Sequence, residues 1–362
     1  MNARRSCRTT AALLGVIAAL WLLPAVPALA ATPDPTATTS PGARFRHAPI
    51  KSGKYLPLVE IPGTAQIVKV GIYPVDIYDI DFQSNTCYIT AYVWLIWKGK
   101  VDPTATLEFA NAVEEWGMMS TAAYEEPIEL PDGSSYQSMR VNGRFYQPYD
   151  LRRFPLDSQY ISIYVEDSAR SYDQVVFVAD RENTGIDAGM VIPGWNVEGF
   201  TSQTLIHDYL TNFGDSSVTS PSKYTSLLYQ ITIERNVNYF AWKLLFPLVI
   251  VLLTNWLALL LRPNWIDLRT AMPATALLTT VFLQESYSSG LPEVSYLVLM
   301  DKIYVVAYAM IVATLLMIIW SNYKIRQDAD AASVAAVRRV DVIAAAVQFV
   351  VFWVILALLV FV

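Results

Sequence analysis

The sequence is poor in the side chains that most often build metal sites and acid–base catalysts. Cysteine and histidine each occur only twice among 362 residues. Cys7 lies in an N-terminal segment that we expect to be removed, so Cys87 is left without an intrachain disulfide partner and is expected to be a buried thiol on a strand. His47 and His207 are too few for a histidine-based metal or acid–base site. We therefore expect no metal, no cofactor and no enzymatic activity.

The N-terminus has the features of a secretory signal. Three arginines precede an apolar stretch at 11–23 and the small-residue cleavage motif ALA at 28–30. We expect residues 1–30 to be a signal peptide and 31–44 a disordered leader. Removal of 1–30 changes the formal net charge from −6 to −9. An acidic chain argues against nucleic acid as a partner and favours cationic partners.

Long hydrophobic segments occupy the C-terminal third of the chain, where a helix needs about 20 apolar residues to cross a bilayer. The predicted transmembrane domain, 237–362, contains four spans: 239–261, 267–291, 299–320 and 341–362. The loops that would face the cytoplasm carry six basic residues: Arg262, Arg269, Lys324, Arg326, Arg338 and Arg339. The external loop carries only Lys302. This asymmetry obeys the positive-inside rule and predicts a multi-pass protein of the cytoplasmic membrane, with its N-terminal domain extracellular or periplasmic and its spans in contact with lipid.

One face of the second predicted span does not suit a lipid environment. Taking every third or fourth residue gives a stripe of seven side chains: Asp267, Ala271, Thr275, Leu278, Phe282, Glu285 and Ser289. These steps keep all seven on one side of an α-helix, which is small, hydroxylated or acidic at most positions. Because an acid within a membrane normally faces protein or water, the stripe predicts a pore-lining helix. An amphipathic helix in a soluble core is the alternative, and the neighbouring spans argue against it.

The N-terminal half, 45–236, shows the pattern of short strands separated by turns. Polar and apolar residues alternate at 86–97 and 159–165, and Pro-Asp-Gly at 131–133 favours a tight turn. No run of ten or more residues in this half has helical periodicity. The pattern predicts an all-β sandwich or barrel.

Several motifs resemble those of the pentameric ligand-gated ion channels, the Cys-loop receptor superfamily. FPLDSQ at 154–159 is similar to the Phe-Pro-x-Asp-x-Gln signature of that family. Glu-Arg at 234–235 and Pro247 resemble the pre-span arginine and first-span proline, and Leu-Pro at 291–292 resembles the loop that follows the pore helix. GWNVEGF at 194–200 is similar to bacterial members.

The resemblance covers nearly the whole mature chain and points to the prokaryotic branch. Gln147 and Ile161 stand where other members have the flanking cysteines of the loop. The resemblance implies an immunoglobulin-like sandwich outside the membrane, followed by a four-helix transmembrane bundle, assembled as a homopentamer in a bacterial membrane.

For the pore, the resemblance implies that five stripes surround one axis. The expected pore and selectivity residues are Asp267, Ala271, Thr275 and Glu285, and the expected gate residues are Leu278 and Phe282. Carboxylate rings favour cations, and hydrophobic constrictions gate by dewetting. Asp267 has a second interpretation as a helix N-terminal carboxylate that interacts with the macrodipole. Pro273 lies inside the predicted helix and can kink it.

The resemblance also implies a ligand site between subunits, built from aromatic and acidic side chains. The expected contacts are Tyr92, Glu108, Glu166, Tyr209, Phe213 and Tyr224. Aromatic faces and carboxylates suit a small cationic ligand such as an amine. Tyrosines on a sandwich surface also serve ordinary packing, and Ser168 stands where some amine-gated relatives have an aromatic residue.

Transmission between the sandwich and the pore should pass through the domain junction. The expected coupling residues are Asp79, Asp81, Pro155, Asp157, Arg235 and Pro292. Asp157, Arg235 and an acid at 79 or 81 resemble a buried charge cluster of the family. A salt bridge that only stabilises the fold is the alternative interpretation.

The predicted function is a homopentameric channel for monovalent cations, opened by an extracellular small ligand, expected to be an amine. One alternative is a non-conducting, membrane-anchored sensor, against which the acidic stripe argues. A proton-gated cation channel is another, although no histidine lies in or near the spans to act as a neutral-pH switch. A membrane enzyme lacks a nucleophile–base constellation.

Overall fold

The computed structural model describes residues 54–214, 222–327 and 330–361, so the predicted signal peptide and leader lie outside the described residues. Strands occupy the N-terminal part of this chain and helices the C-terminal part. In chain order the strands are β1 (Lys54–Pro57), β2 (Gln66–Asp81), β3 (Thr86–Trp97), β4 (Leu107–Phe109), β5 (Met119–Ala122), β6 (Ile128–Glu129), β7 (Ser135–Tyr146), β8 (Ser158–Asp167), β9 (Val175–Ala179), β10 (Trp195–Tyr209) and β11 (Ser222–Arg235).

The strands form two sheets, which confirms the sandwich and not the barrel. One sheet has the order β1-β10-β11-β8-β4 and the other β5-β7-β3-β2-β9, with β6 paired to β7. Alternate residues of β3, such as Val93 and Leu95, are buried with Ile161 and Ile231 of the facing sheet. The period-2 pattern of the sequence therefore marks the inward faces of the two sheets.

Cys87 lies on β3 within this core and is fully buried, as expected. Burial raises the pKa of its thiol to about 12. Cys87 is therefore protonated and unreactive at neutral pH.

The helices are long and apolar enough to cross a membrane, which confirms the predicted membrane location. The first begins as a π-helical segment, Tyr239–Leu245, and continues as α1 (Phe246–Leu260). It is followed by α2 (Ile266–Ser288), α3 (Leu299–Gln327) and α4 (Ala331–Phe361).

Three helix boundaries differ from the prediction by more than one residue. α2 ends at Ser288 instead of 291, α3 continues past 320 to Gln327, and α4 begins at Ala331 instead of 341. The prediction stopped the last two spans where charged residues appear, but a helix continues beyond the hydrocarbon wherever its backbone is paired. The backbone N–H of Ser333 donates to Asp330 Oδ1 at 3.0 Å, which caps the start of α4. The predicted cytoplasmic loop at 321–341 is therefore largely helical among its described residues.

A buried group of uncharged polar side chains joins three of the helices. Asn255 Nδ2 of α1 donates to Thr314 Oγ1 of α3 at 2.9 Å. Gln348 Oε1 of α4 accepts from Thr314 Oγ1 at 3.0 Å and from Trp256 Nε1 at 3.1 Å. Hydrogen bonds of this kind hold helices together where lipid offers no competing partner.

Candidate pore, ligand site and coupling layer

The stripe predicted on the second span is exposed along its whole length in the single chain. Its members are Asp267, Ala271, Thr275, Leu278, Phe282, Glu285 and Ser289. Leu278 exposes 57% of its surface and Phe282 65%. The opposite side of α2 is buried against the other helices through Arg269, Pro273, Ala276, Thr280 and Tyr287. An acidic stripe exposed on a membrane-length helix requires water or a further protein surface beside it.

Pro273 lies on the buried side of α2, away from the stripe. The helix is continuous through this position from Ile266 to Ser288. Asp267 lies in the first turn of α2 and is exposed, so both interpretations of this acid, pore residue and helix-terminal carboxylate, are compatible with its position.

Glu166 of β8 is the centre of a cluster in the first sheet. Its Oε1 lies 2.9 Å from His207 Nδ1, and its Oε2 accepts from Tyr209 Oη at 3.0 Å. Tyr55 Oη of β1 donates to Oε1 at 3.5 Å. The Glu166 side chain is 4% exposed, so both oxygens are occupied by the protein's own groups.

The rings around Glu166 lie against one another, with His207 stacked on Tyr55 and tilted against Tyr209. The His207 ring centroid lies 4.0 Å from that of Tyr55 and 3.8 Å from that of Tyr209. Burial, followed by the charge of Glu166, raises the pKa of both phenols. Tyr55 and Tyr209 therefore remain protonated donors that hold the carboxylate in place.

Three of the predicted aromatic contacts form one group at the end of the β10–β11 hairpin. Tyr209 lies 5.3 Å from Phe213 and 5.7 Å from Tyr224 between ring centroids, and Phe213 lies 6.4 Å from Tyr224. Residues 215–221 of the hairpin lie outside the described residues. Glu108 is exposed on β4, in register with Glu166 on β8.

The predicted ligand contacts Tyr92 and Glu166 have different surroundings from those at the hairpin. Tyr92 is 45% exposed on β3 of the second sheet, where the Arg140 guanidinium lies 5.8 Å from its ring centroid. Glu166, a predicted ligand contact, is buried and lies in contact with His207 and Tyr209. The prediction missed His207 and Tyr55. The alternation that places His207 and Tyr209 on the same face of β10 could have found the histidine.

The predicted pair of Asp157 and Arg235 is present at the base of the sandwich. Arg235 Nε lies 2.7 Å from Asp157 Oδ1, and Nη2 lies 3.3 Å from Oδ2. Three aromatic rings surround the guanidinium, with centroids at 4.2 Å (Trp195), 4.8 Å (Phe154) and 5.0 Å (Phe82). The pair is thus enclosed by cation–π contacts.

Neither Asp79 nor Asp81 supplies the third charge of this cluster in the described structure. Asp79 pairs with Arg144 at 3.0 Å. Asp81 accepts from the Gln83 backbone N–H at 2.8 Å and from Ser84 Oγ at 2.7 Å. These bonds fix the turn between β2 and β3 and lower the pKa of Asp81. The aromatic rings take the place expected for the acid.

Backbone and side-chain hydrogen bonds connect the sandwich directly to the helices. The backbone N–H of Leu299 donates to Arg152 O at 3.1 Å, and that of Met300 donates to Phe154 O at 3.3 Å. Both carbonyl groups lie in the loop before β8. Gln83 Nε2 of the β2–β3 turn donates to Ser289 O at 2.7 Å, immediately after α2.

The two predicted coupling prolines lie in this contact layer. Pro155 follows a cis peptide bond in the loop before β8. Pro292 lines an open cavity of about 440 Å³ together with Gln83, Glu285 and Glu293.

Comparison with known proteins supports the same architecture. No family model matches the chain. A proton-gated ion channel of Gloeobacter violaceus is 23% identical over 329 residues, which cover 84% of this chain and 85% of that protein. The human gamma-aminobutyric acid receptor subunit rho-3 is 25% identical over 171 residues, which cover 47% of this chain and 35% of the subunit. The glutamate-gated chloride channel of Drosophila melanogaster is 23% identical over 204 residues, which cover 56% of this chain and 43% of the channel.

These relatives are ion channels and receptors, and the proton-gated ion channel is matched over most of its length. The sandwich, the four membrane-length helices found among the described residues and the order of the motifs agree with such a channel. The relatives and the fold together support a prokaryotic pentameric ligand-gated channel of the Cys-loop superfamily.

Proposed function

We propose that the protein is a homopentameric, cation-selective channel lined by the α2 stripe and opened by a small extracellular amine that binds between subunits. The observation that carries this proposal is the exposure of the whole stripe in one subunit, with an acid near each end. In a pentamer the five stripes would surround one axis, so each position would form a ring. Asp267 and Glu285 would then place rings of carboxylates in the permeation path.

The choice of cations over anions rests on the residues of the stripe. The relatives include a proton-gated ion channel and a glutamate-gated chloride channel, so their names favour neither sign of permeant ion. The stripe contains two acids and no base. Arg269, the basic residue nearest to Asp267 on α2, is buried on the other side of the helix.

Reversal potentials test the selectivity. The purified protein would be reconstituted in liposomes with a NaCl gradient, and the current should reverse near the sodium equilibrium potential. The paired variant Asp267→Asn with Glu285→Gln should move the reversal potential toward zero, because it removes both carboxylate rings. Reversal of the unmodified channel near the chloride potential would contradict cation selectivity.

The amine is inferred from the aromatic group at the hairpin. Tyr209, Phe213 and Tyr224 present three rings within 5.3–6.4 Å of one another, and Glu108 is exposed on a strand next to β8. An ammonium group is attracted to aromatic faces and to a carboxylate. Glu166 acts indirectly, since it orients Tyr209. Currents recorded during a screen of primary amines, amino acids and sugars test this, and a response confined to anions or sugars would contradict it.

Proton gating is a second candidate, favoured by the 2.9 Å contact between His207 Nδ1 and Glu166 Oε1. Histidine changes its charge near neutral pH. A protonated His207 would form an ion pair with Glu166 and so tie β10 to β8. Tyr55, Tyr164, Tyr209 and Glu108 are titratable groups near Glu166, and the raised pKa values of the three phenols keep them neutral at that pH.

A pH jump without added ligand tests the second candidate. A step from about pH 8 to about pH 5 spans the ordinary titration of histidine. Proton-evoked current that disappears in His207→Gln would support it, whereas equal current in both proteins would remove His207 from the gating mechanism.

A further inference from the structure

A buried ion pair crosses the helix bundle at the start of α2, the end that is predicted to face the cytoplasm and so to form the cytoplasmic mouth of the pore. Arg269 follows Asp267 by two residues on α2, and its Nη2 lies 2.7 Å from Asp341 Oδ2 of α4. Each side chain is 1% exposed. Asp341 is the acid that pairs with Arg269 among the salt bridges of the described residues.

The guanidinium contacts all three of the other helices. Its Nε donates to Ala258 O of α1 at 3.1 Å, and its Nη1 donates to Ser321 Oγ of α3 at 3.4 Å. Ser321 Oγ in turn donates to Asp341 Oδ2 at 3.1 Å. Arg269 is therefore held on the bundle side of α2 by each neighbouring helix.

We propose that Asp341 controls the cation conductance of the pore without lying in it. Asp341 neutralises Arg269 and holds its side chain away from the pore, so that the charge at the cytoplasmic mouth is that of Asp267. This inference rests on the proposed function, because it takes the α2 stripe as the pore lining. Asp341 is a positioning residue, since it acts through Arg269 and does not lie on the stripe.

Two physical arguments support this role, and the first is electrostatic. An arginine side chain stays protonated in proteins, so its charge can be balanced only by a nearby anion. Charges are also screened poorly in a low-dielectric interior. Five unbalanced Arg269 charges would therefore oppose the field of five Asp267 carboxylates.

The second argument is geometric. Two residues along an α-helix correspond to a rotation of about 200°. An Arg269 fixed toward the bundle therefore turns Asp267 toward the opposite side, which is the stripe.

The experiment compares single-channel currents of the full-length protein in liposomes containing NaCl. Asp341→Asn should lower the cation conductance about threefold at low salt, and high salt should reduce the difference because it screens the exposed charge. Arg269→Gln should instead raise the conductance, because it removes the positive charge and leaves the carboxylate. The double variant, Arg269→Gln with Asp341→Asn, should return close to the unmodified value.

Thr314→Val is the matched control, because it removes two buried hydrogen bonds in the same bundle without changing a charge. It should leave the single-channel conductance unchanged even if fewer channels assemble. If the ion pair has only a structural role, every variant should give fewer channels, each with normal conductance. That result, or a shift of the same sign in Asp341→Asn and Arg269→Gln, would overturn the proposal.

Failure of the proposed function gives a different result. If the unmodified channel conducts chloride, its current reverses at the chloride potential. Asp341→Asn should then raise the conductance and Arg269→Gln should lower it. Because Arg269→Gln and the double variant probe the same charge from its other end, the test does not depend on the folding of Asp341→Asn alone.

Discussion

Leu278 and Phe282 are large apolar residues that one subunit leaves exposed at 57% and 65%. They lie between Thr275 and Glu285 on the stripe, where five copies would form apolar rings between polar ones. An apolar ring resists wetting, and this resistance stabilises a closed pore.

Leu278→Ser is therefore expected to shift the channel toward opening. A hydroxyl lowers the free energy needed to admit water, so spontaneous current or a left-shifted ligand response should result. Val281→Thr is the control, since Val281 is exposed on α2 but lies off the stripe. An unchanged response of Leu278→Ser, at normal expression, would place the gate at Phe282 or elsewhere.

Tyr224→Ala is expected to weaken the apparent affinity for an activating amine about tenfold. Loss of one ring from a cation–π site costs on the order of 1–2 kcal/mol, and 1.4 kcal/mol is a factor of ten. Phe213→Ala should have a smaller effect, since Phe213 lies nearer the hairpin tip. Dose–response currents measure both effects.

The control for the ligand site is Tyr160→Ala. Tyr160 is 57% exposed on β8 of the same sheet, six residues before Glu166 along the strand. Equal dose–response curves for Tyr160→Ala and Tyr224→Ala would show that the amine does not bind at the hairpin.

At the residue scale, the sequence identified positions whose environment is set by local periodicity. Asp267 and Glu285 were found because a helical period places them on one stripe, and that stripe is exposed. The burial of Glu166 could not be predicted, because it depends on β1 and β10, which are distant in sequence. His207 was set aside because histidine is rare in the chain, although one histidine suffices once β10 brings it to Glu166.

Among the elements, the loop before β8 and the end of β11 form the junction that carries Asp157 and Arg235. We expect Asp157→Asn to destabilise the protein by roughly 3–5 kcal/mol, because it leaves the Arg235 charge buried without its anion. The thermal transition of the purified protein should fall, and ligand-evoked current should decrease.

Asp81→Asn provides the matched comparison. Asp81 was predicted to share the cluster, but its carboxylate binds the β2–β3 turn. Asp81→Asn should therefore destabilise the protein much less than Asp157→Asn does. Equal losses in thermal stability would indicate that Asp81 belongs to the charge cluster.

The elements themselves were predicted well where one physical signal dominates. Hydrophobic length located all four helices, and alternation located β3 and β8. The end of α3 and the start of α4 were missed because charge marks the edge of the hydrocarbon and not the end of a helix. The pairing of β1 with β10 brings together residues more than 140 positions apart, so no local pattern indicates it.

At the scale of the whole molecule, two of the proposed sites would need more than one chain. Within the described residues the stripe of α2 is exposed, and the Tyr209 group on the first sheet is separate from Tyr92 on the second. A closed ring of identical subunits would solve both, because each subunit would present one surface to the next in a head-to-tail contact.

Cross-linking tests this arrangement directly. Co-expression of Tyr92→Cys subunits with Phe213→Cys subunits, followed by a short bis-maleimide reagent, should yield covalent dimers that contain one of each. Cys87 is buried, so the native thiol should not compete.

A subunit that carries both substitutions should give a ladder that ends at five linked chains, because every interface then contains a reactive pair. Subunits with either substitution alone provide the control and should remain monomeric on a denaturing gel. Cross-links confined within single chains would show that Tyr92 and the hairpin do not meet across a subunit boundary, and a ladder ending at another number would exclude the pentamer.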